Sequence, residues 1–213
     1  MKNNLRKISL SIFAIVMTTT ATLAQFEGEI IFEKNVGKIH VIYKYFVKGN
    51  DIRIEEVGED GTIDGIQLMN LDDKKTYALS PERKLWFETP NRRPAKSLDV
   101  DIKKTGETKD VLGKKCFELV VTNKEKDRKI VYWITKGDYA FFIPMLKTLN
   151  RKENQALYYL EIEGIENHFP MLSTEYTIST GAVVSKLIAQ KIESKTINAE
   201  TFIIPKDYGK FER

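Results

Sequence analysis

Short apolar runs alternate with polar turn clusters through almost the whole chain. Runs rich in β-branched and aromatic residues, bounded by Gly, Pro, Asn and Asp, read as strands. The pattern predicts strands over 26–33, 38–48, 52–57, 63–71, 76–79 and 84–88. After a loop over 91–96, it predicts more over 100–108, 115–122, 128–135, 157–162, 172–178, 183–193 and 201–204. Lys48-Gly49-Asn50-Asp51, Asp60-Gly61, Asp72-Asp73-Lys74, Ser80-Pro81-Glu82-Arg83, Lys124-Glu125-Lys126-Asp127 and Thr180-Gly181 carry turn chemistry. That rhythm belongs to an antiparallel meander.

One segment, 144–152, breaks the pattern. Pro144 suits a first helical position, where its missing N–H costs nothing. Met145, Leu146 and Leu149 recur at helical spacing, and Arg151 and Lys152 suit the negative end of a helix dipole. A short amphipathic helix is expected, with its apolar face laid over the open side of the sheet. Two strands are apolar on both faces: 39–47, with Ile42 and Phe46 opposite Val41, Tyr43 and Tyr45, and 130–134. A sheet with one solvated face alternates cleanly, so both faces of these strands should meet something. The fold class expected is mainly β: a curved antiparallel sheet with a short helix covering its open side.

The N-terminus changes the meaning of the composition. Lys2, Arg6 and Lys7 precede an apolar stretch, 8–17, and the small-residue end Ala21-Thr22-Leu23-Ala24. This is the grammar of a cleavable secretion signal, residues 1–24, followed by one β-rich domain over 25–213. The apolar stretch is shorter than the about 20 residues that span a bilayer. No other segment approaches that length, so no transmembrane segment is expected after cleavage. The destination is the periplasm or the exterior. No cysteine stands near the cleavage point to receive a lipid.

The whole chain has a formal net charge of +4, and the signal holds three basic residues and no acidic one, so the remainder carries +1. Nucleic-acid binding calls for clustered positive charge, so no nucleic-acid partner is expected. Cys116 is the single cysteine and is expected to be a buried strand residue rather than a disulfide partner.

Several blocks resemble a known exported bacterial family: Phe26-Glu27-Gly28-Glu29-Ile30, Val47-Lys48-Gly49-Asn50-Asp51-Ile52-Arg53-Ile54, and Asn198-Ala199-Glu200-Thr201-Phe202-Ile203-Ile204-Pro205-Lys206-Asp207-Tyr208. The most specific runs from Thr105-Gly106-Glu107-Thr108-Lys109-Asp110-Val111 through Leu112-Gly113-Lys114-Lys115-Cys116. Together they resemble domain-of-unknown-function family 4412. That resemblance implies a fold similar to the lipoprotein carriers LolA and LolB, curved half-barrels whose helices close an apolar cavity. It implies no established activity, and no carrier residue maps onto a motif here.

Candidate chemistry is sparse. His40 and His168 are far apart in sequence and no ligand spacing for a metal is present. There is no Gly-x-Ser-x-Gly elbow and no phosphate loop. The acids Glu55, Glu56, Glu59 and Asp60 cluster at a hairpin, and Asp99 and Asp101 beside a loop, where solvated turns collect carboxylates anyway. Arg92, Arg93 and Lys96 form a small basic loop. No catalytic residue, metal or cofactor is expected, and the protein is read as non-enzymatic.

The aromatics leave two readings open. Tyr43, Tyr45, Phe117 and Trp133, with Met145, Leu146 and Leu149 of the helix, could line a cavity for a lipid or other apolar ligand. Alternatively they fill a packed core, and the domain is an interaction module for another envelope protein. A hydrolase is a third class, for which the sequence shows no triad.

Overall fold

The computed structural model describes residues 25–90 and 98–212. The expected signal, residues 1–24, and the basic loop with Arg92, Arg93 and Lys96 lie outside the described residues.

Twelve strands form a single sheet. They are β1 (Glu27–Val36), β2 (Ile39–Lys48), β3 (Asp51–Val57), β4 (Ile63–Asn70), β5 (Lys75–Ser80), β6 (Leu85–Glu88), β7 (Asp101–Val111), β8 (Lys114–Asn123), β9 (Arg128–Lys136), β10 (His168–Thr177), β11 (Val183–Ser194) and β12 (Gly209–Lys210). Two helices, α1 (Phe142–Leu149) and α2 (Asn154–Tyr159), fall between β9 and β10. The spatial order β12-β6-β5-β4-β3-β2-β1-β11-β10-β9-β8-β7 is two meanders, joined where β1 pairs with β11. Every pairing is antiparallel except β12 with β6. The sheet is open and curved, as the hydrophobic pattern predicts.

Alternation sends one set of side chains to the inner face. Phe32 faces Tyr43 across β1–β2, Ile30 faces Tyr45, and both rows are buried. Ile52, Ile54, Ile130 and Tyr132 extend this core across the sheet. Phe169 joins the sheet to the helical segment: its ring centroid lies 4.8 Å from Phe142, 4.9 Å from Tyr139 and 5.3 Å from Phe32. These are favourable aromatic spacings, and each such side chain contributes about 1.5–3 kcal/mol on full burial.

The outer face has a second, smaller core. Ile66, Leu68 and Leu79 are buried there, with Tyr77, Trp86, Ile204 and Tyr208 packed around them. The chain beyond β11 reaches this core on its way to β12. Lys48 donates to the Ile197 carbonyl at 2.7 Å and Arg53 to the Thr201 carbonyl at 3.3 Å. A charged pair, Arg53 Nε to Glu55 Oε1 at 2.7 Å, lies largely buried beside it.

Two expected strands are corrected. The segment 157–162 contributes to α2 and a following turn, not to a strand. Gln, Ala and Leu favour helix, and Gln155, Tyr158 and Tyr159 fall on one buried face at helical spacing. The segment 201–204 begins in a 3₁₀ turn, Ala199–Phe202. Asn198 caps that turn, its side chain accepting from the Glu200 N–H at 3.0 Å. The expected helix starts two residues earlier than Pro144 and ends at Leu149. Pro144 still sits in the first turn, where N–H groups have no helical partner.

Candidate functional site

A cleft lies between the inner face of the sheet and α1–α2. β1 and β2 contribute Phe32, Lys34, Tyr43 and Tyr45; β9 to β11 contribute Tyr132, Pro170, Ser173 and Leu187. The helical segment closes it with Phe142, Leu146 and Leu149 of α1, then Arg151 and Glu153, then Gln155, Ala156 and Tyr159 of α2. The enclosed cavity is about 60 Å³, while the cleft counted out to solvent is about 610 Å³. A cavity of 60 Å³ is below the roughly 150 Å³ that holds one benzene. The chain's own side chains fill most of the space under the helices, and the room lies in the open part.

Local structure sets this geometry. α1 buries Phe142, Met145, Leu146 and Thr148 against the sheet. Asn150 then adopts a left-handed conformation, φ 47°, and its N–H returns to the Leu146 carbonyl at 3.0 Å. That reversal turns Arg151 back toward the sheet, where its Nη2 donates to Gln67 Oε1 at 3.2 Å. Arg151 also lies 5.8 Å from the centre of the Tyr43 ring, a cation–π distance. Lys34 Nζ reaches Glu153 Oε1 at 3.0 Å, and Arg151 Nη1 lies 3.8 Å from the same oxygen. α2 is pinned from below: Tyr132 donates to the Gln155 carbonyl at 2.8 Å and Tyr159 to the His168 carbonyl at 3.1 Å. Burial pushes the Tyr45 hydroxyl up to about 12, although Arg151 pulls the other way, so it stays a neutral wall.

Of the residues expected to line a cavity, Tyr43, Tyr45, Leu146 and Leu149 do line this cleft. Met145 lies beneath it, fully buried. Two are elsewhere. Trp133 follows inward-facing Tyr132, so alternation puts it on the opposite face, with Lys109 Nζ 4.1 Å from its ring centre. Phe117 pairs with buried Ile134 but is 43% exposed and does not line the cleft. Lys34, Phe142, Arg151, Glu153 and Tyr159 are cleft residues that sequence reasoning missed. The aromatic run Tyr139-Ala140-Phe141-Phe142, which leads into the helix, was the available signal for Phe142.

Cys116 is fully buried, and burial pushes its thiol up, away from the thiolate a nucleophile needs. His40 is exposed, with Nδ1 2.9 Å from Asn35 Oδ1. His168 lies at the start of β10. Among the described residues, no group of three or more His, Cys, Asp or Glu side chains could hold a metal ion, and no helix is long and apolar enough to cross a membrane.

The family described as Domain of unknown function (DUF4412) matches residues 26–208. The chain belongs to the DUF4412 family. Its most specific block now has a structural account. In this DUF4412 chain, Leu112 and Gly113 form the two-residue turn between β7 and β8, both at positive φ (50° and 71°), as a type I′ hairpin requires. The block ends on buried Cys116. In the first block, a Cβ on Gly28 would overlap the Glu193 carbonyl of β11, so the glycine marks a close backbone approach.

Among solved structures, an uncharacterized conserved protein from Thermus thermophilus is similar over 87% of this chain and 89% of its own, at 11% identity and TM-score 0.56. MucB is similar over 86% of this chain and 58% of its own, at 10% identity and TM-score 0.49. A LolA superfamily protein from Nitrosomonas europaea covers 85% and 91%, at 10% identity and TM-score 0.36. The first likeness speaks for the fold alone, and the other two are too loose to bear an argument. Comparison with curated proteins found no match.

Proposed function

We propose that this protein is a non-enzymatic binding protein of the cell envelope, exported by its N-terminal signal, that holds the apolar part of a ligand in the cleft under α1 and α2. The observation that carries this reading is the lining itself. Phe32, Tyr43, Tyr45, Phe142, Leu146 and Leu149 converge on one cleft, Leu149 half-buried at its wall and the other five buried deeper. Burying a methylene contributes about 0.8 kcal/mol, so an alkyl chain needs no specific polar contact to bind. A long chain needs more than the enclosed space, so it would lie along the open cleft or shift the helical segment.

Packing favours a second reading. The inner core is dense with aromatic contacts and the enclosed volume is small. An interaction module with a filled core would look the same beneath the helices. Titration with a fluorescent fatty acid separates the two. Saturable uptake that weakens in Leu149→Ser and Leu146→Ser variants with unchanged circular dichroism supports the cleft. No uptake by the folded wild-type chain leaves the interaction module.

A further inference from the structure

The mouth of the cleft is charged, and unevenly so. Lys34 and Arg151 both face it, and their side chains are only 18% and 22% exposed. Both lie against one oxygen, Oε1 of Glu153, whose side chain is 44% exposed. Two shielded cations thus share one solvent-facing carboxylate. Among the ionisable side chains lining the cleft the rest are tyrosines, so the mouth carries a net positive charge. Arg151 is also fixed independently of Glu153, by Gln67 and over the Tyr43 ring. Removing Glu153 would therefore leave the guanidinium in place with a free edge.

The space beyond the mouth fits the same picture. A cavity of about 350 Å³ adjoins the cleft, sharing Lys34, Glu153 and Gln155 with it. Its walls add Arg128, Lys152, Asn154 and Glu175. Glu175 is already committed: its Oε1 lies 3.3 Å from Arg128 Nε and accepts from Asn154 at 2.7 Å. Arg151 also borders a cavity of about 110 Å³ that it shares with Glu56 and Gln67.

We propose that the ligand is a single-chain amphiphile with an anionic head, whose carboxylate replaces that of Glu153 between Arg151 and Lys34 while its alkyl tail runs past Tyr45, Leu146 and Leu149. This rests on the cleft reading of the preceding subsection. A guanidinium presents two parallel N–H donors to a carboxylate, and such charge-assisted bonds strengthen where water is excluded. The resident Glu153 serves as a stand-in anion that keeps the two cations satisfied when the cleft is empty.

The test is calorimetric titration of the full chain with dodecanoic acid, dodecanol and dodecylamine, each below its aggregation limit. The wild type should bind dodecanoate about tenfold or more tighter than dodecanol, the worth of one or two charge-assisted hydrogen bonds. Arg151→Gln should abolish that preference, so that the variant binds dodecanoate no tighter than it binds dodecanol. Glu153→Gln, which removes the competitor, should tighten dodecanoate several-fold, a gain that a merely structural Arg151 would not produce. Equal binding of acid and alcohol, or tightest binding of the amine, overturns the anionic-head proposal and leaves the apolar cleft standing. Binding of none of the three overturns the cleft reading itself.

Discussion

Tyr132 of β9 donates its phenolic hydrogen to the main-chain carbonyl of Gln155 in α2, at 2.8 Å. The tyrosine is 1% exposed, so this bond crosses the interior and ties the cover to the sheet. A Tyr132→Phe substitution keeps the ring and removes this bond, while the Gln155 carbonyl keeps its place in the helical ladder of α2. We predict a loss of about 0.5–1.5 kcal/mol, the net worth of one hydrogen bond. Urea unfolding checks the value, and amide exchange should speed up first in α2.

Two of the apolar positions of α1 should behave differently. Met145 is fully buried, so Met145→Ala should cost about 2–5 kcal/mol. Leu149 is half-buried at the cleft wall, and Leu149→Ser should cost only about 1 kcal/mol, near the centre of the range for single substitutions. Paired denaturation curves decide this. Equal losses would mean that the cleft wall is as tightly packed as the core below it.

Gly28 is required for space. A methyl group there meets the backbone carbonyl of Glu193, which no rotamer change can relieve. We expect Gly28→Ala to destabilise the β1–β11 junction by about 1–3 kcal/mol, the usual cost of overpacking. Since that pair joins the two meanders, the thermal transition should stay single while its midpoint falls.

These positions show what is legible in the chain before its fold is known. The β-branched and aromatic runs in 39–47 and 130–134 expose the sheet, because strand preference needs only local side chains. The Leu112-Gly113 turn is equally local. The face of a strand residue can be read, but not what covers that face, and so the pattern puts Phe117 in a cavity although its side chain is exposed. Arg151 reads as a partner for the helix dipole. Its true place depends on Asn150 adopting a left-handed conformation, which no hydrophobic pattern encodes. In α2, Tyr158 and Tyr159 carry strong β propensity, and tertiary burial of one helical face overrides it.

Acid should weaken the outer face in a defined direction. Burial alone would raise the carboxyl of Glu29, but hydrogen bonds from Lys195 (2.8 Å) and Lys191 (3.1 Å) outweigh it and hold it below its ordinary value of 4.5. A carboxyl lowered in the fold contributes stability above its unfolded value, and that stability is lost as pH falls through the folded value. The difference in stability between wild type and Glu29→Gln should therefore be full at pH 7 and shrink below about pH 4.5. A difference independent of pH between about 7 and about 3 would contradict this, and so would one that grows as pH falls.

The central claim is that the cleft holds an apolar guest. Native mass spectrometry of the chain, purified from a bacterial envelope and then extracted with organic solvent, tests it most directly. A reproducible added mass is predicted, one that leaves with the solvent and returns when dodecanoic acid is supplied. A bare polypeptide mass that takes up no added dodecanoic acid would contradict it.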